Sequence, residues 1–275
     1  MNYIVELQKA IDYIEDNLAQ DINYERVARQ VGMSSFYFHR IFSAVVGISP
    51  AEYIRNRRLT CAADELTSSK DNILDIAIKY YFGSNESFTR AFTKFHGISP
   101  KKAKLKGTKL KSFSKINLSL TIEGGSIMDY RIEKKEKFKI LAIVRAFNLQ
   151  TSKEEIPEFW TELKEKGELK ELSKDYTKKT IGICLGENGI EEFKYGIGIE
   201  LEDDEKSMKD TEIIEVPESL WVVFKCKGQE PKDINELWQR IYKEYFVTSE
   251  YKQNMDLDFE LYDREDTEIW IPISK

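Results

Sequence analysis

Two arginines, Arg40 and Arg90, stand fifty positions apart in the same sequence pattern, and their guanidinium groups are the first candidates for chemistry in this chain. A guanidinium group presents a planar fork of N–H donors that fits two neighbouring acceptors, such as the oxygens of a carboxylate or phosphate, or guanine O6 and N7. Each arginine lies in a thirteen-residue stretch, 38–50 or 88–100, and seven of the thirteen positions are identical. The repeat predicts one structural unit built twice.

A second group of candidates lies in the other half of the chain, where aromatic residues and carboxylates fall on predicted helices and strands. Aromatic walls around one buried carboxylate would suit an amphipathic cation, through apolar burial and cation–π attraction. Trp238 and Asp258 also lie on predicted elements of this half, as an aromatic residue and a carboxylate. For any one tryptophan the alternative is an ordinary place in the core, and for Glu260 it is a solvent-facing position on an alternating strand. The candidate aromatics are Trp160, Tyr195, Trp221 and Trp238, and the candidate carboxylates are Asp258, Glu260 and Glu268.

Other kinds of site have little support in the sequence. Cys61, Cys184 and Cys226 are scattered, no pair has metal-ligand spacing, and the chain has two histidines. We therefore expect no metal and no cofactor, and the odd number of cysteines fits a reducing cytoplasm. The sequence contains no Ser, Cys or His constellation of a common hydrolase and no glycine-rich phosphate loop. No stretch approaches the ~20 apolar residues needed to span a bilayer, so a soluble cytoplasmic protein without a membrane partner is expected.

Charge is distributed unevenly along the chain. Residues 1–126 contain 18 Lys and Arg against 13 Asp and Glu, a net charge of +5, whereas residues 127–275 contain 24 against 35, a net charge of −11. Residues 87–122 hold nine basic residues and no acid. This basic run favours a polyanionic partner for the first part, and a solvated linker is the alternative. The acidic part would be repelled by nucleic-acid phosphates.

The elements that would position Arg40 and Arg90 are helices. Apolar spacing predicts helices over residues 3–18, to about 30, 34–46, 51–66, 73–80 and 85–96, with Asp21, Ser34 and Ser84 as caps. Gly32 suits a tight left-handed turn, and Tyr81 occupies the corresponding place in the second copy. A helical projection puts Phe38 and Phe42 in the core and Phe36, His39, Arg40 and Ser43 on the opposite face. In the second copy that outward face holds Glu86, Thr89, Arg90 and Thr93.

A short helix, a tight turn and a second helix with an outward arginine are typical of a helix-turn-helix unit, whose second helix fits the major groove of DNA. For a single such helix the alternative is an arginine in a surface salt bridge, but two copies in register favour a role in DNA binding. Helix caps and lysines would position the phosphates. The predicted DNA-binding residues are Ser34, Ser35, Phe36, His39, Arg40, Ser43, Ser84, Asn85, Glu86, Thr89, Arg90, Thr93, Lys94, Lys101 and Lys102.

Residues 5–105 resemble the DNA-binding domain of AraC-type transcriptional regulators. This resemblance implies two helix-turn-helix units that are joined by the long helix and bind adjacent major-groove segments on one face of DNA, ~34 Å apart. The sequence departs from the family pattern at Tyr81 and after Pro100. The residues that carry the resemblance are 22–28, Phe38-x-Arg40-x-Phe42, Gly47-Ile48-Ser49-Pro50, 53–59, Ala62-Ala63, Ile76-Ala77, Phe82 and Phe88-x-Arg90-x-Phe92 to Pro100.

After residue 106 the pattern changes. Residues 107–126 are predicted as a linker, in which Leu118, Leu120 and Ile122 alternate as in a strand. From residue 127 a strand–helix–strand–strand order occurs twice, and the two helices match at an offset of 78, for example Trp160 with Trp238. The predicted fold is therefore multidomain: an all-α double helix-turn-helix domain at 1–106, then an α+β domain of duplicated βαββ units at 127–275. The predicted strands and helices of that second domain are 140–147, 154–172, 180–185, 193–201, 220–226, 234–246, 257–262 and 268–273.

Residues 128–275 resemble the GyrI-like effector-binding domain, which also follows AraC-type domains in Rob-like regulators. The resemblance implies a cleft with aromatics and a carboxylate, which would place Trp160, Tyr195, Trp221 and Glu260 in the pocket and Glu268 as a second candidate carboxylate. Some GyrI-like proteins are hydrolases that use a tyrosine and a glutamate, so Tyr195 with Glu260 or Glu268 gives an alternative function. The motifs are Phe159-Trp160, Val216-Pro217 with the strand to Gly228, Phe259-Glu260-Leu261-Tyr262 and Glu268 to Ile273.

Taken together, these features predict a sequence-specific transcription regulator, an activator, whose acidic domain binds a small hydrophobic and cationic effector. Double-stranded DNA, the effector and RNA polymerase are the expected partners. A hydrolase and a pure protein-interaction module remain alternatives for the acidic domain. The sequence leaves both a monomer and a dimer open.

Overall fold

The computed structural model describes residues 3–105, 107–119, 127–149, 151–172, 179–186, 192–201, 209–227, 231–263 and 266–275. The chain divides into two compact units, residues 1–121 and 122–275. None of the described helices combines the length and the apolar composition that a membrane-spanning segment requires.

The first unit is helical, as the sequence predicts. Two pairs, each made of a short helix and a recognition helix, are joined by one long helix, so the repeated sequence forms a repeated fold. The bounds of the helices are α1 Tyr3–Asp16, α2 Tyr24–Gln30, α3 Ser35–Val46, α4 Pro50–Ser68, α5 Ile73–Lys79, α6 Asn85–His96 and α7 Pro100–Ala103.

Helix caps explain most of these boundaries. The Ser34 hydroxyl accepts from the Tyr37 N–H, and Ser84 forms a capping box with Ser87. The prediction that Asp21 caps α2 is wrong: Asn23 stands directly before the helix, and its side chain accepts from the Arg26 N–H. A cap must accept from the second or third helical N–H, and Asp21 lies too far upstream for that geometry.

The turns inside the two helix-turn-helix pairs use the same backbone conformation with different residues. Gly32 has φ +66° and Tyr81 has φ 60°, so both lie in the left-handed region. Glycine adopts this region without a Cβ clash, whereas tyrosine is strained there. The Tyr81 ring is exposed, and the Arg58 guanidinium carbon lies 5.2 Å from its centroid. Tyr81 therefore keeps the turn that glycine provides in the first copy.

The repeated phenylalanines form the two cores of the first unit. Phe38 and Phe42 in α3, and Phe88 and Phe92 in α6, have 0% exposed surface. The small residues Ala28 and Ala77 of the short helices are equally buried, as close helix packing requires. This packing fixes which side of each recognition helix is turned away from the core.

Residues 108–119, here called the strap, lie in the stretch predicted as a linker. The strap has no helix or strand, and the predicted alternation is not a strand at Leu118; Leu120 and Ile122 fall outside the described residues. It nevertheless packs on the first unit, where Leu110 contacts the core around Leu59 and Phe92, and the Phe113 ring lies 5.9 Å from that of Tyr53. The first compact unit accordingly extends through the strap.

The second unit is an antiparallel sheet with helices, and it contains the duplicated strand–helix–strand–strand order. The strand order in the sheet is β1-β6-β9-β8-β3-β4-β2-β5, with β7 beside β9. Helix α10 continues into a π-helical turn at Ile241–Tyr245 and then α11 at Phe246–Thr248. The other elements are β1 Tyr130–Lys135, β2 Phe138–Asn148, α8 Ser152–Glu165, α9 Glu168–Leu172, β3 Thr180–Leu185, β4 Glu192–Glu200, β5 Glu212–Val216, β6 Ser219–Cys226, α10 Pro231–Arg240, β7 Lys252–Gln253, β8 Leu257–Tyr262 and β9 Thr267–Ser274.

Strand register assigns the candidate residues of the second unit to faces of the sheet. Gly182 of β3 pairs with Glu260 of β8, and Cys184 of β3 pairs with Tyr195 of β4. Residues directly opposite each other share a face, and so do residues two apart on one strand. Glu260 and Tyr195 therefore lie on the same face, and helices α8 and α10 reach that face through their tryptophans.

Candidate functional site

The recognition helix of the second helix-turn-helix unit, α6, displays the predicted polar face. Glu86, Arg90 and Thr93 are exposed and Thr89 is half-buried. Arg90 makes no ion pair with any residue that the structure describes, so its N–H donors are available to a ligand. Hydrogen bonds from its own backbone N–H and from Ser84 hold the pKa of Glu86 below its ordinary value, which keeps it an anionic acceptor.

The recognition helix of the first unit, α3, differs from its counterpart. Arg40 is half-buried, and its guanidinium carbon lies 5.4 Å from the centroid of the Phe36 ring. The prediction that Phe36 and His39 point outward is wrong, because they are only 5% and 7% exposed. His39 packs edge-on against Tyr24 of α2, with ring centroids 5.8 Å apart. A helical projection gives the angle of a side chain but not what its neighbours cover.

The remaining predicted DNA-binding residues fall into three groups. Ser34 and Ser84 cap the recognition helices, and Ser35 and Asn85 are the first residues of those helices. The hydroxyl of Ser43 is buried without a hydrogen-bond partner in the described part of the chain. The lysines predicted to meet phosphates are all exposed, namely Lys94, Lys101 and Lys102.

In the second unit the candidate site is a carboxylate surrounded by aromatic donors. The half-buried Glu260 accepts from the indole N–H of Trp238 at 2.7 Å and from the hydroxyl of Tyr262 at 2.7 Å. The Tyr195 hydroxyl also donates to Glu260, at 3.3 Å, and accepts from the Trp160 indole N–H at 3.1 Å. We call these five residues the aromatic cage.

The aromatic cage joins both halves of the duplicated domain. Trp160 comes from α8 and Trp238 from α10, the two helices that match at an offset of 78. Trp238 donates directly to the Glu260 carboxylate on β8, whereas Trp160 is linked to it through the Tyr195 hydroxyl. The rings of Trp160 and Tyr262 meet edge to face at 4.8 Å. A carboxylate held among aromatic side chains is complementary to an organic cation with apolar groups.

A glycine on β3 makes room for this arrangement. A Cβ at Gly182 would lie 2.1 Å from the Tyr195 hydroxyl oxygen and 3.2 Å from the Trp160 ring. No side chain can therefore stand opposite Glu260 on that strand while Tyr195 keeps its hydrogen bonds. Gly182 and Glu260 occupy matching positions in the two repeats, at the offset of 78.

Burial keeps the tyrosines of the cage protonated. Desolvation, and then the nearby negative charge of Glu260, raises the pKa of Tyr195 well above its ordinary value, and the same two causes raise the pKa of Tyr262. Both hydroxyls therefore remain hydrogen-bond donors to the carboxylate at neutral pH. A phenol with a raised pKa is a weak nucleophile.

Two residues predicted for the pocket lie on the other face of the sheet. Trp221 is 0% exposed and packs against Phe259 and Trp270, with centroids 5.1 and 6.2 Å apart. Glu268 is bound by Arg131 through two hydrogen bonds of 2.7 and 3.0 Å and accepts from the Trp270 indole at 3.1 Å. The structure thus brings Trp160, Tyr195 and Glu260 together and does not bring Trp221 or Glu268 to them.

Two residues of the cage were not assigned to the pocket from the sequence. Trp238 was recognisable as the repeat partner of Trp160, and the offset of 78 was the signal that pointed to it. Tyr262 stands two positions after Glu260, and the period of a strand places both side chains on one face. Among the described residues, no group of three or more His, Cys, Asp or Glu side chains is arranged to hold a metal ion.

Comparison with known proteins matches each unit to a family. Residues 27–105 match the family described as helix-turn-helix domain, and residues 131–273 match the family described as integron-associated effector binding protein. YbfP, an uncharacterized HTH-type transcriptional regulator of Bacillus subtilis, is 44% identical over 100 residues. That alignment covers 36% of this chain and 34% of YbfP, so the match spans about a third of the relative's length.

Two further comparisons concern one unit each. The HTH-type transcriptional activator AarP of Providencia stuartii is 35% identical over 102 residues, covering 37% of this chain and 76% of AarP. A solved structure of a protein bound to tetraphenylphosphonium shares 20% identity and a TM-score of 0.49, covering 54% of this chain and 94% of that chain.

Proposed function

We propose that this chain is a DNA-binding transcription regulator controlled by a small lipophilic cation. It belongs to the integron-associated effector binding protein family through residues 131–273 and to the AraC-type helix-turn-helix regulators through its first unit. The first unit would read DNA sequence, and the second would bind the effector. We propose that it activates transcription, with RNA polymerase as its protein partner.

The observation that carries the effector half of the proposal is the aromatic cage. Glu260 provides the charge, and Trp160, Trp238 and the two tyrosines provide ring faces and hydrogen-bond donors. An organic cation gains both apolar burial and electrostatic attraction in such a site, whereas a neutral molecule gains only the burial. Quaternary phosphonium or ammonium compounds with aromatic groups are therefore the ligand class we propose.

The DNA half rests on the repeated arginine. Arg90 is exposed and unpaired among the described residues, and Arg40 occupies the matching position with its guanidinium over Phe36. Each guanidinium can bridge O6 and N7 of one guanine in the major groove. The exposed lysines after α6 would contribute phosphate contacts that do not depend on base sequence.

Selection of bound sequences from random DNA tests the proposal. The selected site should bind Arg90→Ala and Arg40→Ala weakly, with a loss of ~1–3 kcal/mol each and relaxed preference at one base position per variant. Lys9→Ala, which removes an exposed cation from α1, serves as the control and should retain full specific affinity. Retention of sequence preference by both arginine variants would refute the proposed mode of reading.

Titration with tetraphenylphosphonium tests the effector half. We expect the phosphonium to quench tryptophan fluorescence, because Trp160 and Trp238 belong to the cage. It should also raise the melting temperature of the protein, as any ligand of the folded state does. Absence of both effects would favour the alternative that the second unit only associates with another protein.

A hydrolase is the second candidate for this unit. The Tyr195 hydroxyl lies 3.3 Å from the Glu260 carboxylate, as a tyrosine–glutamate pair requires. However, the raised pKa of Tyr195 opposes its use as a nucleophile, and we therefore propose binding without turnover. Chemical change of a bound ligand that disappears in Glu260→Gln would support the hydrolase instead.

A further inference from the structure

The strap is held on the first unit by an unusual type of contact, in which side chains of the helices accept hydrogen bonds from the backbone N–H groups of the strap. No sheet or helix satisfies these N–H groups, and a lost acceptor would leave them exposed or unpaired. The donor–acceptor pairs are Lys111 N–H to His96 Nδ1 at 3.3 Å, Phe113 N–H to Thr60 Oγ1 at 3.0 Å, Ile116 N–H to Tyr53 Oη at 3.3 Å and Leu118 N–H to Gln8 Oε1 at 2.7 Å.

The four acceptors belong to three different helices. Gln8 lies on α1, which precedes the first helix-turn-helix pair, and Tyr53 and Thr60 lie on the joining helix α4. His96 is the last residue of α6, the recognition helix of the second pair. The strap therefore runs from the end of the second reading unit, along the joining helix, to the helix that supports the first.

Near its centre, at Phe113 and Ile116, the strap is also held by side chains of an ion-pair network between α4 and α1. The Arg57 guanidinium donates to the Glu15 carboxylate at 2.8 and 2.7 Å and also to the Phe113 carbonyl of the strap. The Tyr53 hydroxyl donates to the same carboxylate at 2.9 Å while it accepts from Ile116. The Arg57 and Glu15 side chains are only 14% and 12% exposed, so α1, α4 and the strap share one ion-pair network shielded from solvent.

At the second reading unit, both nitrogens of the His96 ring are used. Nδ1 accepts from the strap at Lys111, so Nε2 carries the proton and donates to the Leu59 carbonyl at 3.2 Å. His96 is 5% exposed and its ring lies against that of Phe92, with centroids 4.1 Å apart. The end of α6 is thus fixed both to α4 and to the strap.

We propose that the strap is a positioning element that fixes the angle between the two helix-turn-helix units and thereby the number of base pairs the protein accepts between its two half-sites. Two units joined only by one helix could bend or twist about it. A second connection, bonded to α1 at one end and to the end of α6 at the other, removes this freedom. This inference rests on the proposed DNA-binding function and adds to it a determinant of half-site spacing.

An altered spacing changes both the distance and the angle between the two half-sites. One extra base pair moves the second half-site by about 3.4 Å along the duplex and rotates it by about 35°. A pair of units held rigidly can engage only one half-site of such DNA, whereas a pair that can twist engages both. The strap should therefore decrease affinity for altered spacing without changing the contacts made to either half-site.

The experiment compares affinity for the selected two-half-site DNA with affinity for the same DNA carrying one inserted base pair, by fluorescence anisotropy of the full chain. Gln8→Ala removes one acceptor at a half-buried position where alanine favours the helix, and Ile116→Pro removes one donor. The matched controls are Lys9→Ala, one residue along α1, and Asn117→Pro, whose N–H makes no hydrogen bond with a described residue.

For the wild type and both controls we expect the insertion to weaken binding by about tenfold or more. For Gln8→Ala and Ile116→Pro, the ratio of affinity for the selected DNA to affinity for the inserted DNA should fall to about threefold or less. The reason is that affinity for the inserted DNA rises while affinity for a single half-site is unchanged. A merely structural role would lower both affinities and leave the ratio unchanged.

Two outcomes separate the possible failures. If the wild type discriminates between spacings and the strap variants discriminate equally, the strap has no role in spacing. If the wild type binds no selected DNA, the proposed function fails and this inference fails with it. Should Ile116→Pro not fold, the ratio measured for Gln8→Ala decides the question alone.

Discussion

Glu260→Gln is the substitution that most sharply tests cation binding in the second unit. It keeps the size of the side chain and removes the negative charge that accepts from Trp238, Tyr262 and Tyr195. Two unit charges about 5 Å apart attract by about 3 kcal/mol at an effective dielectric constant of about 20. Because Glu260 is half-buried and its charge is shared with three donors, we expect about half of this value, a loss of roughly 10- to 30-fold in affinity for the phosphonium.

Isothermal titration calorimetry with tetraphenylphosphonium and with the uncharged triphenylphosphine oxide measures this effect. The charge should matter only for the cation, so the affinity for the oxide should be unchanged. Glu268→Gln is the matched control: Glu268 also accepts from a tryptophan N–H, in this case that of Trp270, but lies on the opposite face of the sheet. Equal losses for cation and oxide, or an equal loss in Glu268→Gln, would refute the assignment of Glu260 as the charge that selects cations.

Three further changes give distinct expected results. Gly182→Ala places a Cβ 2.1 Å from the Tyr195 hydroxyl. Phosphonium affinity in calorimetry should therefore fall, and the protein should lose about 1–3 kcal/mol of stability. Unchanged affinity would mean that Tyr195 is not part of the cage. Gly32→Ala at φ +66° should cost about 1 kcal/mol in urea unfolding, whereas Gly83→Ala, which also has open space but no left-handed φ, should cost little. Burial lowers the pKa of His96 below its ordinary 6.5, so the stability from its neutral ring is present above that pH and is lost as the pH falls through the folded-state value. The difference in urea stability between wild type and His96→Gln should therefore shrink from about pH 7.5 to about pH 5, and a constant difference would contradict the burial of a neutral His96 ring.

The sequence predicted the helical unit closely because its signals are local. Ser84 before α6 and Gly97 after it are a cap and a left-handed stop, and α6 spans the predicted residues 85–96. Because the two copies share one pattern, the helices predicted in one copy could also be predicted in the other. The Asp21 cap was wrong for a local reason too, since Asn23 is an equally good cap and lies at the correct distance from the Arg26 N–H.

The edges of the sheet were harder to predict than its centre. The strands β3 and β8 have the predicted bounds, 180–185 and 257–262. The edge strands β1 and β5 were missed as elements, because most of their residues are exposed and charged residues interrupt the apolar pattern. An edge strand needs only one partner strand, and its sequence carries a weaker signal than that of a buried strand.

Contacts between distant parts of the chain could not be predicted from the sequence. The strap looks like a linker because its attachment uses its own backbone N–H groups, which every non-proline residue possesses. Glu260 and Glu268 look equivalent as carboxylates on neighbouring strands. Only the strand register reveals that Glu260 faces the tryptophans of α8 and α10, whereas Glu268 pairs with Arg131 on the other side.

DNA reading by both arginines can be tested by methylation protection of guanine N7 on the selected DNA. This mode of reading predicts two protected guanines about one helical turn apart on the same face of the duplex, one contacted by Arg40 and the other by Arg90. Arg40→Ala should abolish protection of one guanine, and Arg90→Ala should abolish protection of the other. Loss of the same guanine in both variants, or protection of both guanines in both variants, would contradict it.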